Sequence, residues 1–350
     1  MSAGILRLIQ TSTPSQEDSQ CFLFIGDATQ KPIHEIVLDK GVTLPFPLAE
    51  GSSASRQLKI LHINDLHHHL ADFSRIAGRI RELRAQSDTT LLALSAGDEI
   101  VGTPFDELLG QKHAAYQLYS AAGIDASVLG NHDFDYGTAV LAKGIQDNAN
   151  FPVLSANLKN PDALAGLYYP AALYIKNGIR IGIIGLTTLT QIRYHLNSYL
   201  EIADPVAVAK NLIPAMRPLC DVLIILSHLG YSEEARWVDS AEKCAGDIEL
   251  AEALPNASVD LIVGGHSHNV LNQNGLSAEN IVNGIPFVQA GGFGDYLGEV
   301  EILIKESSVS IKSATLKEVK ALAPDLDFEE REIAPLIAKV KEIEKEVLGK

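Results

Sequence analysis

Positive charge is scarce in this chain of 350 residues: 28 Lys and Arg stand against 44 Asp and Glu, a net charge of −16. A surface of that sign repels phosphate backbones, which excludes a nucleic-acid polymer as partner, although locally held cations could still draw in small anions. Cysteine is scarcer still. Cys21, Cys220 and Cys244 are odd in number and spaced for neither a zinc module nor a disulfide framework, so a reducing compartment is expected. Long apolar runs are missing too: no stretch reaches the roughly 18 residues of a membrane helix, and no membrane partner is expected. The first residues, MSAGILRLIQTSTPS, hold no basic segment leading into a long apolar one. No signal peptide is read there, and a cytoplasmic location is expected.

What is present is enough apolar residue, 46%, for a sizeable core. Residues 1–56 read as a small β-rich extension: ILRLIQ, CFLFIG and HEIVLD are short strands between polar and Pro-containing connections, and AEGSSASRQ is a linker. From Leu58 the pattern changes. LKILHIN, TLLALSA, ASVLG, PVLSA, IRIGIIGL, VLIILS and LIVGG are continuous apolar runs, as expected of strands buried on both faces. Helical stretches are expected over 73–86, 111–123 and 204–216. This alternation predicts an α/β layered fold with largely parallel strands. The stretch from Ile285 to Val319 reads as antiparallel strands. The end of the chain, 326–350, reads as an amphipathic helix with Ile333, Leu336, Ile337, Val340, Ile343 and Val347 on one face, free to pack on the body or to form a homodimer.

The informative residues stand directly after each apolar run. ILHIN leads into Asp65 and His67, LLALSAG into Asp98, SVLG into Asn131 and His132, VLIILS into His228, and LIVGG into His266 and His268. In a parallel sheet the carboxyl ends of strands converge where ligands bind. Read singly, a His after a strand is a hydrogen-bonded structural residue and an Asp is a helix N-cap. Five strand ends carrying such residues in succession are not independent accidents. Carboxylates, imidazoles and one amide, with no thiolate, suit divalent Mn, Fe, Co or Zn. There are too many for one tetrahedral site. They suit two ions roughly 3.5–4 Å apart that share a carboxylate and a water; the hydroxide formed from that water is a strong nucleophile, and the same ions can neutralise a phosphoryl group.

The order DLH (65–67), GD (97–98), GNHD (130–133), SH (227–228) and GHSH (265–268) resembles the calcineurin-like metallophosphoesterase superfamily. NDLH, SAGDEIVGTPF, VLGNHDFDYG, FPVLSANL and VQAGGFGDYLGEVEI resemble its 5′-nucleotidase subfamily more narrowly, over roughly residues 58–330. The resemblance implies a four-layer αββα sandwich of two mixed sheets flanked by helices, with the catalytic domain spanning 57–325. It implies two divalent ions, one held by Asp65, His67 and His268, the other by Asn131, His228 and His266, with Asp98 bridging. It implies that His132 contacts the phosphate and stabilises or protonates the leaving oxygen, and that Asp135 pairs with it. Asp133 is read as a turn or outer residue, and His69 as a surface or outer one. Many 5′-nucleotidases carry a C-terminal domain that binds the nucleoside; here the chain stops after the helix leading into it. The expected function is a phosphomonoesterase acting on a small phosphate ester such as a nucleotide. The alternatives are a cyclic-nucleotide phosphodiesterase or a sulfur- or pyrophosphate-ester hydrolase, with a non-catalytic binding protein last because every ligand is present.

Overall fold

The computed structural model describes residues 5–11, 19–25, 34–37, 55–86, 89–101, 103, 113–159, 162–188, 200–232, 244–305 and 308–348. The linker expected at 49–57 falls largely outside them. The strands are β1 (Ile5–Thr11), β2 (Ser19–Ile25), β3 (His34–Val37), β4 (Arg56–Ile63), β5 (Thr90–Ser95), β6 (Ala126–Val128), β7 (Val153–Leu154), β8 (Leu158–Lys159), β9 (Ala171–Lys176), β10 (Ile179–Thr187), β11 (Glu201–Ile202), β12 (Val222–His228), β13 (Leu261–Val263), β14 (Ile281–Val282), β15 (Ile285–Val288), β16 (Tyr296–Lys305) and β17 (Ser308–Glu318). One sheet runs β17-β16-β4-β5-β6-β7, a second β14-β15-β13-β12-β10-β9-β2-β1-β3, and β8 pairs with β11 apart from both.

The continuous apolar runs make sense once each strand is split by face. In β4, Leu58 and Ile60 face the space between the sheets, while Leu61 and Ile63 face the outer helices. In β12, Val222, Ile224 and Leu226 face inward, and Leu223 and Ile225 face out. Both faces are dry, so alternation is lost. Helices 73–84, 114–122, 138–148 and 334–348 cover the six-stranded sheet, and helices 205–216 and 247–253 cover the nine-stranded one. The result is the four-layer αββα sandwich. Helix Pro205–Met216 starts as its sequence suggests: the Asp204 carboxylate accepts from the N–H groups of Val206 and Ala207.

Two expectations change in detail. The segment read as antiparallel is so only in part: β16 and β17 form a hairpin and β16 runs antiparallel to β4, but β15 joins β13 in parallel. The N-terminal strands continue the nine-stranded sheet, because β2 pairs antiparallel with β9 and sets Cys21 opposite Tyr174. Cys21 and Leu23 enter the inter-sheet core, and Phe22 and Phe24 the outer one. At the other end of the chain the C-terminal helix lays its apolar seam on the body. Ile333 and Val340 join the core around Phe73 and Tyr119, and Leu336 and Ile337 pack against it.

At the end of the sandwich away from the loops that follow β4, β5, β6, β12 and β13, the two sheets are pinned by charge. Lys176 on β9 is buried and donates to Asp125 Oδ1 at 2.5 Å and to the Leu91 carbonyl at 3.3 Å. Arg84 donates to the other oxygen of Asp125 at 3.1 Å, and the Tyr174 hydroxyl donates to its carbonyl. Removing one member of a buried pair strands the other. Lys176→Met is expected to lower unfolding stability by about 3–5 kcal/mol in a denaturant titration. A loss near zero would mean that Arg84 and the Ala93 N–H, which donates to Asp125 Oδ2 at 2.8 Å, satisfy Asp125 between them.

Candidate metal centre

The ligand-type residues meet at one end of the sandwich, but not on one sheet rim. Loops after β4, β5 and β6 come from the six-stranded sheet, and loops after β12 and β13 from the nine-stranded one. Hydrogen bonds lace them together. Asp65 N donates to the Gly97 carbonyl at 2.9 Å and His67 N to that of Asp98 at 3.1 Å. Across the gap, His266 N donates to both oxygens of Asp65, at 3.1 and 2.9 Å.

Such tight lacing bends the backbone. Asp65, His67, Asp98, His266 and His268 all have left-handed φ, between 46° and 76°. That conformation costs a non-glycine residue of order 1 kcal/mol and concentrates at functional sites. Two glycines of the motifs are dictated by space. A Cβ on Gly130 would lie 2.1 Å from Asp98 Oδ1, and one on Gly97, itself at φ 89°, would lie 2.8 Å from His228 Nδ1.

Two clusters result. Donor atoms of Asp65, His67 and His268 lie within 4.8 Å of one another, as do those of Asp98, His228 and His266. Asp98 stands between them: its Oδ2 is 3.0 Å from His228 Nε2 and 3.9 Å from His67 Nε2. Asn131 Oδ1 is 3.2 Å from His228 Nε2, so this amide joins the second cluster. The sequence-predicted residues are thus brought together.

The histidine rings are turned in a telling way. His67 Nδ1 lies 3.0 Å from the Ile100 carbonyl, and His228 Nδ1 lies 2.6 Å from that of Ala96. A carbonyl only accepts, so each Nδ1 carries a hydrogen and each Nε2 is directed into the centre. There His67 Nε2 meets His268 Nε2 at 3.3 Å, and His228 Nε2 meets both Asp98 and Asn131. Facing acceptors repel unless a proton or a cation lies among them. Among the described residues, no Lys or Arg pairs with Asp65 or Asp98; their ionic partners are all imidazoles. Burial alone would keep Asp98 protonated, but His228 outweighs it and holds the carboxyl well below the usual carboxylate range. Burial likewise opposes charge on His228, yet Asp98 lifts that ring to about 10. This donor set fits a pair of divalent cations: positive charge is demanded, and nitrogen and oxygen donors converge on it.

His132 sits at the edge. Its Nδ1 is 2.7 Å from Asp135 Oδ2, and its backbone N–H donates to Asp98 Oδ1 at 2.8 Å. Burial opposes a charged ring here too, but the Asp135 hydrogen bond and the charges of Asp98 and Asp135 raise its pKa to about 9. Asp133 points away from the centre and accepts from the N–H groups of Gly130 at 2.8 Å and Glu99 at 3.1 Å, which ties the turn after β6 to the loop after β5. His68 is buried, whereas His69 is exposed.

Two amides that support the centre do not stand out in the sequence. Asn64 donates to Asp65 Oδ2 at 2.7 Å and to the Gly291 carbonyl, and accepts from Ala290 N at 2.8 Å. Gln289 donates to the Gly265 carbonyl at 3.0 Å and accepts from the Ser267 hydroxyl at 3.2 Å and from Asn269 N. It therefore holds the GHSH loop from beneath. Their one sequence signal is that they lie inside NDLH and VQAGG, two of the stretches that carry the family resemblance.

Comparison with known proteins agrees with this geometry. Residues 58–270 match the family model of the calcineurin-like phosphoesterases. The chain is 30% identical to protein UshA of Yersinia enterocolitica over 286 residues, which is 74% of this chain and 51% of that protein. It is 32% identical to a 5′-nucleotidase of Vibrio parahaemolyticus over 288 residues, 74% of this chain and 50% of the relative. Among solved structures, a 5′-nucleotidase precursor from Thermus thermophilus superposes with a TM-score of 0.65 at 26% identity, covering 82% of this chain and 59% of that one. The chain spans about half the length of the curated relatives it matches. On the extent of the family match and the order of its strand-end motifs, the chain belongs to the calcineurin-like phosphoesterases.

Proposed function

We propose that this chain hydrolyses phosphate monoesters in the manner of a 5′-nucleotidase, with residues 57–325 as its catalytic unit. The observation that carries the reading is the inward turn of His67 and His228 about Asp98, each ring fixed by a backbone carbonyl. Asp65, His67 and His268 would hold one divalent ion, Asn131, His228 and His266 the other, with Asp98 shared. Bound there, the pair supplies Lewis acidity and charge neutralisation at phosphorus. The rest falls to this chain's own groups. Asn131 adds a neutral ligand, so its side carries less negative charge than the Asp65 side. His132, kept protonated by Asp135, gives a hydrogen bond and then a proton to the departing oxygen. The nucleotide substrate is suggested by the names of the relatives.

The test is a phosphate-release screen of metal-stripped protein reloaded with Mn, Zn, Fe or Co, offered 5′-nucleotides, cyclic nucleotides, glycerol phosphate and p-nitrophenyl phosphate. Release from monoesters is expected. Cleavage of cyclic nucleotides alone would replace the reading by a phosphodiesterase, and no turnover with both ions bound would leave a binding protein.

Gln289 offers a check on the architecture. Gln289→Leu should weaken cation affinity by roughly 10–100-fold, as loss of a partner that orients a ligand does. Calorimetric titration of the stripped protein reads this, and an unchanged affinity would remove Gln289 from the support of the centre. Among the described residues, Ile333, Leu336, Ile337 and Val340 of the C-terminal seam pack on the body, which favours packing over the homodimer expected through that helix; light scattering is expected to return a monomer, and a dimer would restore the other reading.

A further inference from the structure

Phe293 is the one exposed aromatic among the described large apolar residues, at 43% exposure, and its backbone is held at φ 61°. Gly292 and Gly294 flank it. A left-handed position is disfavoured for a bulky aromatic residue, and glycine would fill it without strain. Burial does not compensate, because much of the ring is in solvent. The strain is imposed by Phe293 N, which donates to the Asp65 carbonyl at 2.7 Å and so wraps this loop around a residue of the centre. The ring then lies 4.9 Å from His268, edge to face, 5.5 Å from His67 and 4.9 Å from His69. The His67 ring has His132 as a neighbour too, at 5.2 Å. Phe293 and His132 are therefore both neighbours of the His67 ring. Val270, 42% exposed and opposite Ala290 across an isolated bridge, extends the apolar rim on this side.

We propose that Phe293 is a specificity-determining residue whose exposed face stacks on a planar aromatic leaving group while the phosphoryl group sits over the histidines. This rests on the phosphoesterase reading and deepens it. Among the described residues the ring touches His67, His69 and His268, contacts that leave part of it open to solvent, and backbone strain concentrates where a side chain is presented for function. The outcome is selectivity for an aryl or nucleobase-bearing ester over an aliphatic one.

The experiment uses the full chain loaded with Mn, unsubstituted or as Phe293→Ala or Phe293→Tyr, with metal content measured first. Calorimetry compares phenylphosphonate with methylphosphonate, neither of which can be hydrolysed. Phe293→Ala should weaken phenylphosphonate by roughly 5–100-fold, the range of aromatic stacking on a flat ring, leave methylphosphonate within about twofold, and be rescued by Phe293→Tyr. If alanine weakens both ligands alike, the ring serves only the histidines; if it weakens neither, the ring is idle; either result overturns the proposal. Turnover of p-nitrophenyl phosphate and glycerol phosphate is measured in parallel. Unsubstituted protein that binds with the preference but hydrolyses neither ester would sink the hydrolase reading and leave the stacking role standing. Unsubstituted protein that binds neither phosphonate would sink both.

Discussion

Replacing His132 by alanine should lower the turnover of a phosphate monoester by roughly 10²–10⁴-fold, the usual contribution of a positioned proton donor, with both cations still bound. The ring lies at the edge of the ligand clusters, and its Nδ1 is engaged by Asp135 at 2.7 Å. That leaves Nε2 to face substrate. Asp135 also helps hold the ring in its charged form, with a pKa lifted to about 9 despite partial burial. A charged ring both attracts the phosphoryl oxygens and has a proton to give. The leaving group separates these contributions. A p-nitrophenolate departs without help, whereas the oxygen of glycerol or ribose needs a proton. The loss should therefore be larger for alkyl esters than for p-nitrophenyl phosphate, and Asp135→Asn should reproduce the trend at smaller size. Metal analysis of the same samples guards against a trivial cause. Parent-like rates on alkyl esters would remove His132 from the chemistry.

The candidate ligand positions were legible because their residue types are dense where apolar runs stop, and a strand end is the part of an α/β fold that sequence marks most sharply. Asp65, Asp98, Asn131 and His228 each come after a run whose residues are buried on both faces. Other features left no such mark. Asn64 and Gln289 support the centre through uncharged amides, which look like any polar residue beside a strand until the loop they hold is in view. The left-handed backbone at Asp65, His67, Asp98, His266 and His268 had no local cue, since none is glycine; contacts between loops impose it. Strand pairing was equally hidden. β2 joins β9 across some 150 positions of chain, and the five ligand loops divide between two sheets rather than one, because hydrogen-bonded register is a non-local property.

Asp98→Asn should reduce bound metal from two equivalents to one or fewer and abolish most turnover. The argument is electrostatic. Two dications held in neighbouring clusters of one buried site would repel strongly, and a shared carboxylate would offset that repulsion. Asp98 is the carboxylate placed to do so, with Oδ2 within 3.9 Å of a histidine in each cluster. Asparagine keeps an Oδ1-type acceptor for the His132 N–H, which Asp98 receives at 2.8 Å. The turn carrying Asn131 and His132 should therefore hold, and any loss reports charge rather than collapse. The cost should exceed the roughly 10–100-fold expected from an outer partner such as Gln289. It should also be uneven. The Asp65, His67 and His268 cluster retains its own carboxylate, whereas the His228 and His266 cluster keeps only neutral donors once Asp98 is gone, so the second ion should leave first. Elemental analysis after dialysis, with circular dichroism to confirm folding, reads this directly. A folded Asp98→Asn protein that retains two tightly held ions would show that the clusters bind independently and that no shared carboxylate is needed.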